Sequence, residues 1–478
     1  MKIKNLLIAL LLMLTYAFAS AQGYEIKVAL DNVKGDSIHL QSFQIVNMKD
    51  FQTKKFRNLQ SYPNSNNLVF KSKESLEPGI YQINADTNVI GSFVISDKKG
   101  QKFSMHIDGA TLKITYTNSP ENTAFEEYFE NLKTYNKQMD GLNQEFEEMR
   151  NSGIPQYMMQ TFVDSLTARA GRIEKAREAF QRKTIAAHPT WLTSSIIQAS
   201  IRMPQPPAQA MQNRNLYRLY VAEHLLDNFP FQDERFYSTS YAFDIVNQFT
   251  RLVWETGDYD FPSTEKFVNS ALDRCKVSPK GYGIFFDDME RIVGTLKSPY
   301  WYEDLYLVML RNALDYKDVG EARKIRYEKL YDIHNRNLAG SKLPDFEIKL
   351  ANDSVINIYS IESDYLLLYF QNPDCPTCTK VRHELAGMEI LNNAIDRGKL
   401  KVVTIYFEKN EKIWRNFLKN EANPRYIHGW EFNNKVEGEG LFDVRIIPFM
   451  FLVDKNKIIL KKDLLHNEVE PWLKSLGL

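Results

Sequence analysis

The sequence predicts a multidomain protein with a small all-β (sandwich-like) domain, an all-α helical domain and a C-terminal α/β domain. Apolar residues alternate with a period close to two up to about residue 118, and then step by three and four residues to about residue 336. Beyond that point short apolar runs alternate with helical patterns, and 478 residues fit about three domains. We therefore expect domains at 22–118, 119–338 and 339–478.

Residues 1–21 have the features of a secretory signal peptide. Lys2 and Lys4 precede the apolar run Leu6–Leu14, and Ala19-Ser20-Ala21 forms a small-x-small cleavage site. The apolar run is short for a membrane span. No cysteine directly follows the predicted cleavage site, which argues against a lipid anchor. We expect export without stable membrane insertion, with an uncleaved anchor helix as the alternative.

Composition excludes several classes of partner. The 60 basic and 60 acidic residues cancel, so there is no charge bias toward nucleic acid or anionic lipid. Three cysteines are too few for a disulfide scaffold. Cys275 follows Phe267, Val268 and Leu272 at helical spacing, and we predict a buried, inert thiol there.

The first domain is predicted to be a β-sandwich. Its alternating segments include Tyr24-Glu25-Ile26-Lys27-Val28 and Thr111-Leu112-Lys113-Ile114-Thr115-Tyr116. Four turn signals separate such runs, namely Lys34-Gly35-Asp36, Glu77-Pro78-Gly79, Asp97-Lys98-Lys99-Gly100 and Asp108-Gly109. Short strands with frequent turns favour a sandwich over a barrel.

The second domain is predicted to consist of long amphipathic helices. Apolar side chains recur at helical spacing, beginning with Phe125, Tyr128, Phe129, Leu132 and Tyr135. The polar residues His224, Asp227, Asp233 and Glu234 could suggest a metal site, but we prefer a helix end with capping carboxylates and a solvated turn. The segment Asn337–Ser341 is the predicted linker to the last domain.

The third domain contains Cys375-Pro376-Thr377-Cys378 between a strand pattern and a helix pattern. The apolar run Tyr365–Phe370 precedes the motif, and apolar residues at helical spacing follow it. Backbone N–H groups and the helix dipole favour a thiolate at the start of a helix. We therefore predict that Cys375 is the nucleophile and that Cys378 resolves the mixed disulfide.

Other interpretations of the cysteine pair are weaker. A purely structural disulfide would close a very small loop and so remove little chain entropy. Zinc would need about two further ligands, and no second CxxC or HxxxH accompanies this one. His383 follows in the helix, where we expect it on the surface. No metal and no cofactor are expected.

From about Leu343 to Leu478 the sequence resembles a thioredoxin-fold domain of the exported TlpA/ResA-like branch. The resemblance is carried by Leu343-Pro344-Asp345-Phe346, by the strand before the CxxC, by the strand pattern Val402–Phe407, and by Ile447-Pro448 before Phe449-Met450-Phe451-Leu452-Val453. It implies a redox-active Cys375–Cys378 disulfide, with Ile447 and a cis Pro448 binding the substrate strand.

The β and helical segments resemble uncharacterised domains that precede thioredoxin domains in exported proteins of anaerobic Gram-negative gut bacteria. The helical resemblance is clearest at residues 224–235. These resemblances imply a periplasmic protein, free or envelope-associated. Its expected partners are cysteine-containing periplasmic proteins and an upstream thiol electron donor.

Three residues depart from the thioredoxin pattern. Asp374 stands where a tryptophan usually precedes the first cysteine, and its charge opposes ionisation of Cys375. Tyr369 replaces the buried acid six residues before Cys375, and Val381 replaces the acid of the ResA-like branch. The sequence therefore leaves the proton acceptor for Cys378 unidentified.

The predicted function is that of an exported thiol-disulfide oxidoreductase. Exported members of this kind more often reduce or isomerise disulfides than oxidise thiols. The alternative is a partner-binding envelope protein whose thioredoxin domain is a redox-regulated or inert module.

Overall fold

The computed structural model describes residues 23–45, 54–153, 155–295, 298–444 and 447–478. The predicted signal peptide lies outside these ranges. The chain divides into two compact units, one up to Lys324 and the other Ile325–Leu478. Among the described residues, no helix combines the length and apolarity that a membrane crossing requires.

The described part of the first unit begins with eight strands in two four-stranded sheets. One sheet has the order β4-β1-β7-β8 and the other β3-β2-β5-β6. All pairs are antiparallel except β1 with β7. The strands are β1 (Glu25–Asp31), β2 (Ser37–Ile45), β3 (Lys54–Pro63), β4 (Asn67–Lys71), β5 (Gly79–Ala85), β6 (Asn88–Ile95), β7 (Lys102–Asp108) and β8 (Lys113–Thr117).

The two sheets share one apolar core, which confirms the sandwich prediction. Ile26 and Val28 of β1 point to the same face because side chains alternate along a strand. They belong to one buried cluster with Leu40 and Ile83 of the other sheet, and with Phe93. Burying one face of each sheet produces the period of two seen in the sequence.

Helices follow the sandwich within the first unit. In the described residues they are α1 (Pro120–Asn151), α2 (Gln156–Ala187), α3 (Leu192–Ala199), α4 (Ala208–Gln212), α5 (Arg214–His224), α6 (Ser240–Gly257), α7 (Phe261–Cys275), α8 (Pro279–Val293), α9 (Glu303–Leu314) and α10 (Glu321–His334). Cys275 ends α7 and is fully buried, as predicted. Burial strongly raises the pKa of its thiol.

Asn122 of α1 binds the open edge of the sandwich. Its Oδ1 accepts a hydrogen bond from the N–H of Val94 at 2.6 Å, and its Nδ2 donates to the carbonyl of Val94 at 3.0 Å. Since β6 is the edge strand of its sheet, this side chain pairs with backbone groups that no neighbouring strand covers.

Asp233 differs from the predicted helix cap with a solvated turn. Its carboxylate is mostly buried and accepts hydrogen bonds from Ser195 Oγ at 2.6 Å and from Arg235 Nε at 2.8 Å. Arg235 also donates to the carbonyls of Ser96 and Thr190 at 3.0 and 2.9 Å. The pair therefore connects the end of the sandwich to the helices.

The other residues of that group are engaged as well. His224 Nδ1 lies 2.8 Å from Asp227 Oδ2 at the end of α5, and Ser278 Oγ donates to Glu234 at 3.3 Å. Within the described ranges, no group of three or more metal-binding side chains was found.

The second unit contains a seven-stranded sheet flanked by helices. The strand order is β10-β9-β13-β12-β11-β14-β15, and β11, β12 and β13 are parallel. The elements of the described residues are β9 (Glu347–Leu350), β10 (Val355–Asn357), β11 (Tyr365–Phe370), α11 (Pro376–Gly387), α12 (Glu389–Asp396), β12 (Leu400–Tyr406), α13 (Glu411–Asn420), β13 (Ile427–Trp430), β14 (Phe449–Asp454), β15 (Ile459–Lys461) and α14 (Val469–Ser475).

Strand β11 is buried on both faces. Leu366, Leu368 and Phe370 pack into one apolar cluster, whereas Leu367 and Tyr369 pack into the cluster on the opposite face. Burial on both faces explains the uninterrupted apolar run in the sequence.

The segment predicted as a linker is bound to the second unit. Asn337 Nδ2 donates to the carbonyl of Leu441 at 2.9 Å, and the backbones of Gly340 and Ser341 both hydrogen-bond to Ile459, at 2.8 and 2.9 Å. The division between the two units falls earlier, inside α10. The predicted boundaries at 118/119 and 338/339 stay predictions.

Candidate active site at the CxxC motif

The loop after β11 positions Cys375 at the start of α11. Asn372 organises this loop, because its Oδ1 accepts from the N–H of Asp374 at 2.8 Å and its carbonyl from the N–H of Cys375 at 3.1 Å. Cys375 is the N-cap residue and Pro376 occupies the first turn. Proline suits this position because the missing N–H would have no partner inside the helix.

The two cysteines differ in exposure. Neither cysteine is in a disulfide in this structure. Cys375 is partly exposed, whereas Cys378 is fully buried one turn into the helix. Only Cys375 is therefore open to a large disulfide substrate, and we expect Cys378 to react with such a substrate only after Cys375 has bound it.

The helix start favours the thiolate of Cys375. Burial raises the pKa of the Cys375 thiol, but hydrogen bonds from the backbone and side chains of Cys378 and Thr377 lower it. The net result is a pKa below the ordinary value of a thiol. Asp374 is exposed, so water screens its opposing charge.

Cys378 has the opposite protonation preference. Burial raises the pKa of its thiol to about 12, and the neighbouring Cys375 adds to this. The Asn372 N–H and the Arg382 charge favour the thiolate without overcoming burial. At neutral pH the pair therefore consists of a readily ionised outer thiol and a protonated inner thiol.

The Ile447-Pro448 bond is cis, as predicted. Pro448 directly precedes Phe449, which pairs with Phe370 at the end of β11 in the antiparallel β11–β14 ladder. Pro448 and the loop to Cys375 therefore emerge at the same edge of the sheet. Ile447 also lines a cavity of about 550 Å³ together with Phe407 and Glu408.

Tyr369 does not replace the missing acid as a proton acceptor. It is fully buried, and its hydroxyl donates to the carbonyl of Cys378 at 2.8 Å. Burial raises the pKa of this hydroxyl. Its role at neutral pH is to fix the first turn of α11 against β11.

Sequence reasoning missed Arg382, which is only 8% exposed beneath the motif. The signal was available, because position i+4 from Cys378 lies on the same face of a helix. Val381 is buried in the apolar cluster below the sheet, and His383 is exposed as expected.

A second missed contact joins the loop to the cavity. Asn372 Nδ2 donates to Glu408 Oε1 at 2.5 Å. Glu408 follows β12 and is 36 residues from Asn372, so nothing local in the sequence indicates the pairing.

A family model described as thioredoxin-like matches residues 363–459. The crystal structure of a thioredoxin-like protein from Bacteroides caccae is 24% identical with a TM-score of 0.53, over 57% of this chain and 98% of that chain. The second unit is therefore a thioredoxin-like domain. A search of curated proteins found no match.

Two structures of single domains are also similar to part of the chain. The C-terminal domain of an uncharacterised Bacteroides fragilis protein is 29% identical with a TM-score of 0.28, over 29% of this chain and 98% of that one. The thioredoxin domain of a thiol-disulfide oxidoreductase from Bacteroides vulgatus is 18% identical with a TM-score of 0.25, over 28% and 98%.

Proposed function

We propose that this protein is an exported thiol-disulfide oxidoreductase that reduces or isomerises disulfides in cysteine-containing periplasmic proteins. The predicted signal peptide supports the export. The chemistry rests on one observation, the contrast between a partly exposed Cys375 with a lowered pKa and a buried Cys378 with a raised one.

The reaction follows from that contrast. The Cys375 thiolate attacks a substrate disulfide, a Cys375–substrate disulfide forms, and one substrate sulfur leaves as a thiolate that takes a proton from water. Cys378 then loses its proton to water and attacks Cys375 Sγ. The mixed disulfide breaks, the second substrate thiol is released, and the two electrons of the dithiol have reduced the substrate.

The cis Ile447-Pro448 segment is the proposed binding edge for the substrate strand. It lies beside the loop to Cys375, and backbone groups at a strand entrance can pair with an extended peptide. An upstream thiol donor must re-reduce the Cys375–Cys378 disulfide, because each turnover consumes one dithiol.

An insulin reduction assay with dithiothreitol as the electron source tests this proposal. We expect the mature protein to accelerate reduction and Cys375→Ser to be inactive, because the attacking thiolate is lost. A wild-type protein that is folded but no more active than Cys375→Ser would contradict the proposal and favour a partner-binding protein with an inert thioredoxin-like domain.

A further inference from the structure

Arg382 is a buried cation on the same helix face as the resolving cysteine. Its Nη1 donates to Gln371 Oε1, and its Nη2 donates to Thr379 Oγ1 at 3.0 Å and to Glu421 Oε2 at 2.6 Å. The guanidinium carbon also lies 5.0 Å from the centre of the Phe417 ring. These contacts hold the charge in one place beneath the motif.

The charge is only partly neutralised by its surroundings. Glu421 is the carboxylate that pairs with Arg382, and its side chain is 43% exposed, so water screens it more than it screens Arg382. His428 faces the same region, where burial lowers its pKa and the nearby Arg382 adds to the effect. Neutral His428 adds no second cation at neutral pH.

We propose that Arg382 stabilises the negative charge that develops on the Cys378 sulfur during the resolving step. This inference rests on the proposed oxidoreductase function. Resolution requires a thiolate in a buried position, and in the described part of the chain the buried Tyr369 and Val381 occupy the two places where the sequence comparison expects an acid. A fixed cation lowers the free energy of that thiolate without accepting its proton, which passes to water.

A two-step reaction with 5,5′-dithiobis(2-nitrobenzoate) separates attack from resolution. Cys375 attacks first and releases one coloured thiolate, and Cys378 then attacks Cys375 Sγ and releases a second. Each unit of rise in the Cys378 pKa lowers its thiolate fraction about tenfold, and greater nucleophilicity restores only part of the loss. For Arg382→Met we expect the second release to slow by about threefold or more and the first to stay within about twofold. Arg382→Lys, which keeps the charge, should recover most of the rate.

Glu421→Gln is the matched control, because it removes the counter-charge and leaves the guanidinium in place. We expect a second release at least as fast as in the wild type. A purely structural role for the Arg382–Glu421 pair would slow both variants. An unchanged second release in Arg382→Met, no recovery in Arg382→Lys, or a second release slower than the wild type in Glu421→Gln would overturn the inference.

A different experimental result would contradict the proposed function. A wild-type protein without insulin reductase activity contradicts the oxidoreductase function, whatever the variants do. If the wild type is active and Arg382→Met resolves equally fast, only the role of Arg382 is wrong. Should Arg382→Met fail to fold, the rates of Arg382→Lys and Glu421→Gln still decide, since slowing in Glu421→Gln contradicts the electrostatic role.

Discussion

At the scale of single residues, position in one helical turn separates two chemically identical thiols. Cys375 lies at the helix start and receives hydrogen bonds that favour its thiolate, whereas Cys378 lies one turn further and loses its hydration. Loss of water around an anion is costly, so the inner thiol stays protonated. The motif therefore supplies one thiol that attacks the substrate and a second thiol that resolves the mixed disulfide.

We expect Cys378→Ser to accumulate mixed disulfides with periplasmic proteins, because attack survives and resolution is lost. Cys375→Ser should trap almost none. Iodoacetamide should label Cys375 first, and the midpoint of its rate against pH should lie below the ordinary thiol pKa, since only the thiolate reacts. Labelling of Cys378 should rise only toward pH 12. Equal trapping by both variants, or faster labelling of Cys378, would show that the roles are reversed.

Thr377→Val should raise the pKa of Cys375. The Thr377 hydroxyl is one of the donors that stabilise the thiolate, and valine keeps the shape without the donor. The pH dependence of iodoacetamide labelling measures the shift. Asp374→Asn is the control, because this exposed side chain is screened and should shift the profile less. A larger shift in Asp374→Asn would mean that local charge, not the helix start, governs Cys375.

Tyr369→Phe should keep thiol exchange and lower stability. The hydroxyl donates to the Cys378 carbonyl, and loss of one such bond costs about 0.5–1.5 kcal/mol of the free energy of unfolding. Urea denaturation of the reduced protein measures the cost, with the half-buried Tyr365→Phe in the same strand as control. If Tyr369→Phe instead abolished resolution, the hydroxyl would be part of the proton pathway.

At the scale of elements, the local sequence pattern predicted the type of each helix or strand better than it predicted the contacts between them. The CxxC at a helix start and the cis Pro448 follow from short motifs, and the periods of two and three to four follow from burial on one face. The Arg382–Glu421 and Asn372–Glu408 contacts span 39 and 36 residues, and their donors and acceptors carry no local pattern. Such pairs are decided by the packing of elements, which the sequence does not display.

Asn122 gives a test at this scale. Asn122→Ala should destabilise the first unit by about 1–3 kcal/mol, because both backbone groups of Val94 lose their partner in a buried place. Thermal unfolding followed by circular dichroism measures the loss. Thr123→Ala, an exposed change in the next residue, is the control. Equal midpoints for the two variants would show that water satisfies the edge of β6 without the asparagine.

At the scale of the whole molecule, the hydrogen bonds of the predicted linker show that it belongs to the second unit, which its amino-acid composition does not show. Asn337–Ser341 has the glycine and polar residues of a linker, yet it binds Leu441 and Ile459. Lys462 Nζ also donates to the carbonyls of His334 and Arg336 at 3.3 and 3.1 Å. The end of α10 is therefore part of the structure that supports β15.

These contacts predict how the thioredoxin-like domain can be isolated. We expect residues 325–478 to fold alone and to retain disulfide reductase activity, because they form one compact unit that contains the CxxC and the cis proline. Residues 341–478 should be less stable, since Lys462 loses the two carbonyls and Leu441 loses the Asn337 amide. Urea denaturation of both fragments, with insulin reduction as the activity readout, compares them. Equal stability would mean that the segment before Ser341 contributes nothing to this unit, and an unfolded 325–478 fragment would mean that its core is completed by residues before Ile325.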